Sequence, residues 1–169
     1  MPSSTFENLS SDKQKRIMAA LLTEFSTHSL ADAQVARIVK AAGIARGAFY
    51  KYFDDLTDAY QTLYRQAMQE IHRDFSSQGT AQFSAESYYQ AVSAFVDHFS
   101  GSQYDQLVRR HYGENESLLP ETPISVDLPV VDWAAMTLSH ATIKEIMLAP
   151  ANRDAALDRF RQALQHLEE

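Results

Sequence analysis

The chain has 169 residues and a net charge of −7, and it contains no Cys. This length allows one sizeable core or two small ones, and the lack of Cys excludes disulfides, thiolate metal sites and Cys nucleophiles. Residues 1–6 lack a basic segment followed by an apolar one, and no apolar run approaches the roughly 20 residues of a membrane span. We therefore expect a cytoplasmic protein with no secretory signal and no membrane contact.

Charge is distributed unevenly along the chain. Residues 1–56 carry seven Lys and Arg against six Asp and Glu, whereas residues 57–169 carry eight against sixteen. This asymmetry favours a small segment that contacts nucleic acid, joined to an acidic body that does not.

The spacing of apolar residues predicts an all-α chain, because no segment shows the sustained alternation of a strand. The predicted helices cover, in chain order, about residues 11–27, 33–41, 45–52, 56–75, 85–99, 102–112 and 127–148, and a last helix capped by Asn152. Gly43 suits a tight turn, and Gly101 and Gly113 are expected to end helices. Loops are expected at residues 76–80 and 114–124.

Residues 32–53 have the pattern of a helix-turn-helix, with two short helices joined by a turn that contains glycine. The second helix is rich in hydrogen-bond donors that suit phosphates and base edges, namely Arg46, Tyr50, Lys51 and Tyr52. Gly47 and Ala48 leave room for a close approach to the major groove. The alternative is that Tyr50, Lys51 and Tyr52 merely decorate an amphipathic helix of another kind of bundle.

Residues 11–60 resemble the DNA-binding domain of the tetracycline-repressor-like (TetR/AcrR) family of bacterial transcriptional regulators. The residues that match the family pattern in register are Ile17, Ala20, Phe25, Ile38, Ala42, Gly43, Ile44, Gly47, Phe49, Tyr50, Tyr52 and Phe53. The resemblance implies a three-helix DNA-binding domain at residues 1–55. A long fourth helix would join it to a helical ligand-sensing and dimerisation domain at residues 56–169.

By the same resemblance, Tyr50 and Tyr52 anchor phosphates. The groove-facing positions that it implies are Gln34, Ala36, Arg37, Ala45, Arg46, Gly47, Ala48 and Lys51. Three positions depart from the family pattern: Leu56 replaces a Lys near a phosphate, Ala45 a Ser and Ala48 a Thr. The Ser at position 45 would cap the recognition helix, a contribution of about 1 kcal/mol that Ala45 cannot make.

Aromatic and polar-tipped side chains are concentrated in the acidic body, where an apolar pocket with a few polar groups would suit a small molecule. The predicted ligand contacts are Tyr88, Phe95, His98, Phe99, Tyr104, His111, Tyr112, Trp133, Met136 and His140. The alternative is that these residues only fill a core. The spacing of His98, His111 and His140 matches no compact metal-ligand motif, so neither a metal nor a cofactor is expected.

The last two helices are predicted to pair with those of a second copy. Small residues there allow close approach and leucines form a seam; the predicted contacts are Ala134, Ala135, Leu138, Ala141, Leu157, Phe160, Leu164 and Leu167. The alternative is that the seam packs wholly within one chain. The two half-sites of a palindromic operator favour the dimer.

The predicted function is therefore that of a dimeric DNA-binding regulator, a repressor that a small-molecule ligand releases from a palindromic operator. The alternative is a regulator of the same fold with no small-molecule ligand, controlled by a protein partner. No enzyme activity and no catalytic residue are expected, because the sequence has no nucleophile–base spacing, Gly-rich phosphate loop or metal signature.

Overall fold

The computed structural model describes residues 2–75, 84–119 and 127–168, except for the side chains of residues 72–75. Every regular element in these ranges is helical, which confirms the predicted fold class. The α-helices are α1 (Ser4–Glu7), α2 (Ser11–Thr27), α3 (Val35–Ala42), α4 (Arg46–Tyr52), α5 (Leu56–Phe75), α6 (Ala85–Phe99), α7 (Asp105–Arg110), α8 (Val130–Leu148) and α9 (Arg153–Glu168). Of the helices in the described ranges, none is long and apolar enough to cross a membrane.

The chain divides into two compact units, Met1–Arg73 and Asp74–Glu169. The first unit therefore takes in nearly all of α5, whose first residue is also the first residue of the predicted regulatory domain. The assignment of ligand sensing and dimerisation to residues 56–169 stays a prediction.

Aromatic side chains hold the N-terminal unit together. Phe25 of α2 meets Tyr60 of α5 edge to face at 5.1 Å between ring centroids, and Phe49 lies 5.4 Å from Phe53. All four side chains are fully buried, together with Ile17, Leu21 and Ile38. The turn into α5 is capped by Asp55, because the N–H of Asp58 donates to the Asp55 carboxylate at 2.7 Å.

The C-terminal unit buries apolar side chains between α6, α8 and α9. α6 contributes Val92 and Val96, α8 contributes Ala135 and Ile146, and α9 contributes Ala156, Leu157, Phe160 and Leu164. Burial of these groups is the main term that stabilises the unit.

Two segments differ from the sequence prediction. α1 was not predicted; it begins where the Ser3 hydroxyl accepts a hydrogen bond from the N–H of Phe6 at 3.3 Å. After α7 the chain continues as a π-helical turn (His111–Asn115) and a 3-10 turn (Glu116–Leu118). Gly113 lies inside the π-helical turn and has no positive φ, so it does not end a helix. Gly101 follows the end of α6 with φ of 78°, as expected.

The predicted loop at residues 114–124 thus begins with helical turns. Its residues 120–124, and the predicted loop at residues 76–80, lie outside the described residues.

Candidate nucleic-acid interface

Gly43 makes the turn between α3 and α4. It lies in the left-handed region, with φ of 64° and ψ of 41°, and the N–H of Ile44 donates to the C=O of Val39 at 3.1 Å. The turn closes α3 and redirects the chain into α4 within three residues. This is the helix-turn-helix that the sequence predicts.

α4 has one buried and one exposed side. Phe49 and Tyr52 are buried, whereas Arg46, Tyr50 and Lys51 are exposed. Tyr50 is 52% exposed, and its ring meets that of Phe49 edge to face with centroids 5.3 Å apart. Cations and a phenol on one exposed helix face can donate to phosphates and base edges.

The predicted DNA contacts divide by exposure. Most of them are exposed, namely Gln34, Ala36, Ala45, Arg46, Gly47, Tyr50 and Lys51. Arg37 and Ala48 are half-buried and Tyr52 is buried. The predicted contact roles themselves stay predictions.

Tyr52 is only 5% exposed, which distinguishes it from Tyr50. Its ring lies 6.0 Å from that of Phe6, and the Lys13 ammonium lies 5.7 Å from its centroid. Tyr52 thus helps to fix α4 and brings the cation of Lys13 close to it. The sequence pattern gave no sign of the Lys13 contact, because Lys13 lies in another helix.

Arg37 and Glu24 form a charge-assisted network behind the helix-turn-helix. The Arg37 guanidinium donates to the Glu24 carboxylate from Nε at 2.9 Å and from Nη2 at 2.6 Å. Nη2 also donates to the C=O of Asp32 at 2.8 Å, and the N–H of Gln34 donates to Glu24 at 2.8 Å. Glu24 therefore ties α2 to the first turn of α3.

The electrostatics of Glu24 agree with this geometry. Burial by itself raises the pKa of the Glu24 carboxyl, but the hydrogen bonds from Arg37 and Gln34 and the charge of Arg37 outweigh it, so the pKa lies below its ordinary value. Glu24 is thus a carboxylate at neutral pH. Arg37, a predicted groove contact, is already engaged by it.

The predicted ligand residues are spread through the C-terminal unit. Phe99 is buried; Tyr88, Phe95, Tyr104, His111, Tyr112 and Met136 are half-buried; His98, Trp133 and His140 are exposed. Phe95 and Phe99 stack with centroids 5.3 Å apart, and the Tyr88 hydroxyl lies 3.5 Å from the Asp132 carboxylate. Among the described residues, no group of three His, Asp or Glu side chains is placed to hold a metal ion.

The C-terminal unit has a cavity of about 330 Å³ where the end of α6 approaches the connection between α8 and α9. Its lining comprises Val96, Asp97, Ser100, Arg109, Ile146, Met147, Pro150 and Arg153. None of the predicted ligand residues is among them. Arg109 donates to Asp105 and to the C=O of Met147, and Arg153 to Asp97 at 2.5 Å, so the polar rim is ordered by its own ion pairs.

The predicted dimer contacts also divide. Ala135, Leu157, Phe160 and Leu164 are buried in the core of their own chain, and Leu138 and Leu167 pack partly against it. Ala134 is half-buried and Ala141 is exposed. The leucine seam thus packs against α6 within the chain, and the outer surface of α8 is what a second copy could contact.

The helix-turn-helix and the exposed face of α4 define a DNA-binding protein of the helix-turn-helix class. Residues 17–56 match the family model of bacterial regulatory proteins of the tetR family, which confirms the resemblance. The N-terminal unit therefore contains a DNA-binding domain of the tetR family.

Several solved structures share the fold. A TetR family transcriptional regulator from Chloroflexus aurantiacus J-10-FL is 20% identical with a TM-score of 0.55, and the match covers 99% of this chain and 97% of that chain. A putative transcriptional regulator from Streptomyces coelicolor is 18% identical (TM-score 0.54; 92% and 97% covered). A TetR transcriptional regulator from Rhodococcus sp. RHA1 is 16% identical (TM-score 0.52; 92% and 94% covered). No curated protein matches the chain by sequence.

Proposed function

We propose that the chain is a homodimeric repressor that binds a palindromic operator through two copies of α3 and α4. A small-molecule ligand in the C-terminal unit releases it. The protein acts without catalysis, in the bacterial cytoplasm where its operator lies. The observation that carries the proposal is the exposed face of α4, where Arg46, Tyr50 and Lys51 lie beside Gly47.

Dimerisation is supported by an apolar surface on α8, which we name the α8 stripe: Val130, Trp133, Ala134, Thr137 and Ala141. These residues recur at helical spacing, Val130 is 78% exposed and Trp133 is 46% exposed. The helix carries no Asp, Glu, Lys or Arg between residues 133 and 143. An uncharged helical face with an exposed aromatic residue is suited to pack on its own symmetry mate.

Release by a ligand is supported by the cavity beside Arg109 and Arg153. Its volume of about 330 Å³ lies within the range of small-molecule sites, and it combines an apolar floor with a few polar groups. A ligand bound there changes DNA binding only if it binds the DNA-free arrangement with a different affinity from the DNA-bound one.

The alternative is a regulator of the same fold that a protein partner controls. The small size of the cavity favours it. A thermal-shift screen of metabolites against the purified chain separates the two proposals. A metabolite that raises the melting temperature and lowers DNA affinity supports control by a small molecule. A protein partner that stabilises the chain supports control by a partner.

The operator proposal is tested by fluorescence anisotropy with a duplex from the promoter region of the chain's own gene. We expect salt-sensitive binding that Tyr50→Ala weakens roughly tenfold, since ring and hydroxyl are both lost. Tyr50→Phe, which keeps the ring, separates the two contributions, and Arg161→Ala in α9 is the control. Unchanged binding by Tyr50→Ala would contradict the proposed role of α4.

A further inference from the structure

α4 is a short helix with little to hold it in place by itself. It has seven residues, and Ala45 at its N-cap offers no side-chain hydrogen bond. The last carbonyls of any α-helix have no intrahelical donor and need partners from elsewhere. In a recognition helix this requirement bears on function, because the end of α4 carries Tyr50 and Lys51.

Ser3 supplies two of the missing donors. Its N–H donates to the C=O of Tyr52 at 3.0 Å, and its hydroxyl donates to the C=O of Lys51 at 2.6 Å. Both acceptors lie in the last turn of α4. A segment distant in sequence thus completes the helix from its C-terminal end.

Phe6 adds an apolar anchor to these hydrogen bonds. Its side chain is buried, with its ring centroid 5.1 Å from that of Phe53 and 6.0 Å from that of Tyr52. The segment is itself fixed to α2, because the side-chain amide of Gln14 donates to the C=O of Phe6 at 3.0 Å and to that of Glu7 at 2.9 Å.

We infer that residues 3–7, which we name the N-terminal clasp, position the recognition helix for DNA binding. The clasp contains no Lys or Arg, so it has no cation of its own to offer a phosphate. It contributes by holding α4 in the orientation in which Tyr50 and Lys51 reach DNA. Ser3 and Phe6 are its positioning residues.

The inference is tested on the full chain with two variants that weaken the clasp, Phe6→Ala and Ser3→Ala. Hydrogen exchange is measured by mass spectrometry, and affinity for the promoter duplex by anisotropy. We expect faster exchange in α4 but not in α6 or α8, and DNA affinity that falls roughly tenfold for Phe6→Ala and severalfold for Ser3→Ala. Thr5→Ala, an exposed position in the same segment, is the matched control and should bind as the unmodified chain does.

Conservative variants separate positioning from general loss of stability. Ser3→Thr keeps the hydroxyl and should restore DNA affinity to within roughly twofold, as Phe6→Leu should in part. If Phe6→Ala does not fold, the DNA affinities of Ser3→Ala and Ser3→Thr are compared instead to test the inference. The inference is overturned if exchange in α4 is unchanged, or if both clasp variants bind the duplex as tightly as the unmodified chain.

Discussion

Arg37 lies in the first turn of α3, where a cation would ordinarily suit a phosphate, yet the Glu24 carboxylate and the C=O of Asp32 already hold its guanidinium. Lys51, by contrast, is exposed at the end of α4. The two cations therefore differ in environment even though both belong to the helix-turn-helix. Arg37 is hydrogen-bonded within the domain, and Lys51 is exposed.

We expect Lys51→Ala to lower the slope of log K against log salt for DNA binding by about 1, because one phosphate contact is lost. Arg37→Ala should instead leave that slope unchanged while it lowers the melting temperature. Anisotropy at several salt concentrations and a thermal melt measure both quantities. A reduced slope for Arg37→Ala would show that Arg37 contacts a phosphate of the DNA.

The lowered pKa of Glu24 predicts a pH dependence of stability. A carboxyl whose pKa is lower in the folded state contributes stability that is complete above its ordinary value and is lost as the pH falls through the folded value. We therefore expect the free energy of unfolding to decrease as the pH falls below 4.5, and Glu24→Gln to remove part of that decrease. Urea unfolding of both proteins between pH 3 and pH 6 tests this; parallel curves would contradict it.

At the scale of the elements, Gly43 and Gly47 separate the effect of backbone conformation from that of added side-chain volume. A Cβ at either position meets no atom within 4 Å, but only Gly43 has a positive φ. Gly43→Ala should therefore destabilise the protein by about 1 kcal/mol through backbone strain alone. Gly47→Ala should stabilise α4 by about 0.5 kcal/mol and still weaken DNA binding, because its methyl group lies on the exposed face. Urea unfolding and anisotropy measure the two effects, and tighter DNA binding by Gly47→Ala would remove that face from the interface.

The sequence predicts an element well where apolar spacing and a local signal at the ends agree. α2 and α5 begin and end at the predicted residues, and the left-handed turn at Gly43 follows from the glycine itself. α1 was missed because its stability comes from contacts with Lys51 and Tyr52, far along the chain. The π-helical turn was missed because a glycine without positive φ looks like any other glycine in a sequence.

In the candidate sites too, features set by a local sequence pattern could be predicted, and features set by contacts distant in sequence could not. The positions of Tyr50 and Lys51 on α4 could be predicted because a family pattern fixes their register, and their contact with DNA stays a prediction. The pairing of Glu24 with Arg37 joins two helices and leaves no periodic trace in the sequence. The leucines of α9 are apolar at helical spacing whether they face α6 or a second copy. Periodicity identifies a buried face but cannot name what buries it.

The α8 stripe gives a test of the proposed dimer. Trp133→Arg places a charge in the middle of the stripe and should raise the dimer dissociation constant tenfold or more, by roughly the cost of a lost interface anchor. Leu118→Arg is the matched control, because Leu118 is similarly exposed but lies in the 3-10 turn. Sedimentation velocity reads the outcome, and a Trp133→Arg variant that remains dimeric would place the interface elsewhere.

At the scale of the whole molecule, a DNA-binding segment with nearly balanced charge is joined to an acidic body. Each copy of the helix-turn-helix carries few cations, so in the proposed dimer two copies would bind the operator more tightly than one copy alone. Dimerisation would then stabilise the fold as well as the DNA complex.

We therefore expect the melting temperature of the unmodified chain to rise with protein concentration, since association draws on the folded state alone. The melting temperature of the Trp133→Arg variant should depend less on protein concentration, because its dimer is weaker. Differential scanning fluorimetry over a hundredfold dilution series would compare them. A melting temperature of the unmodified chain that does not change on dilution would argue against a dimer coupled to folding.

Trp133 is the one tryptophan of the chain, and nearly half of its side chain is open to solvent. Indole fluorescence therefore comes from a single position on α8 in every molecule, and no added label is needed. Emission should shift to shorter wavelength and become harder to quench with iodide as two copies meet. The protein thus carries its own spectroscopic reporter at the surface where self-association is proposed.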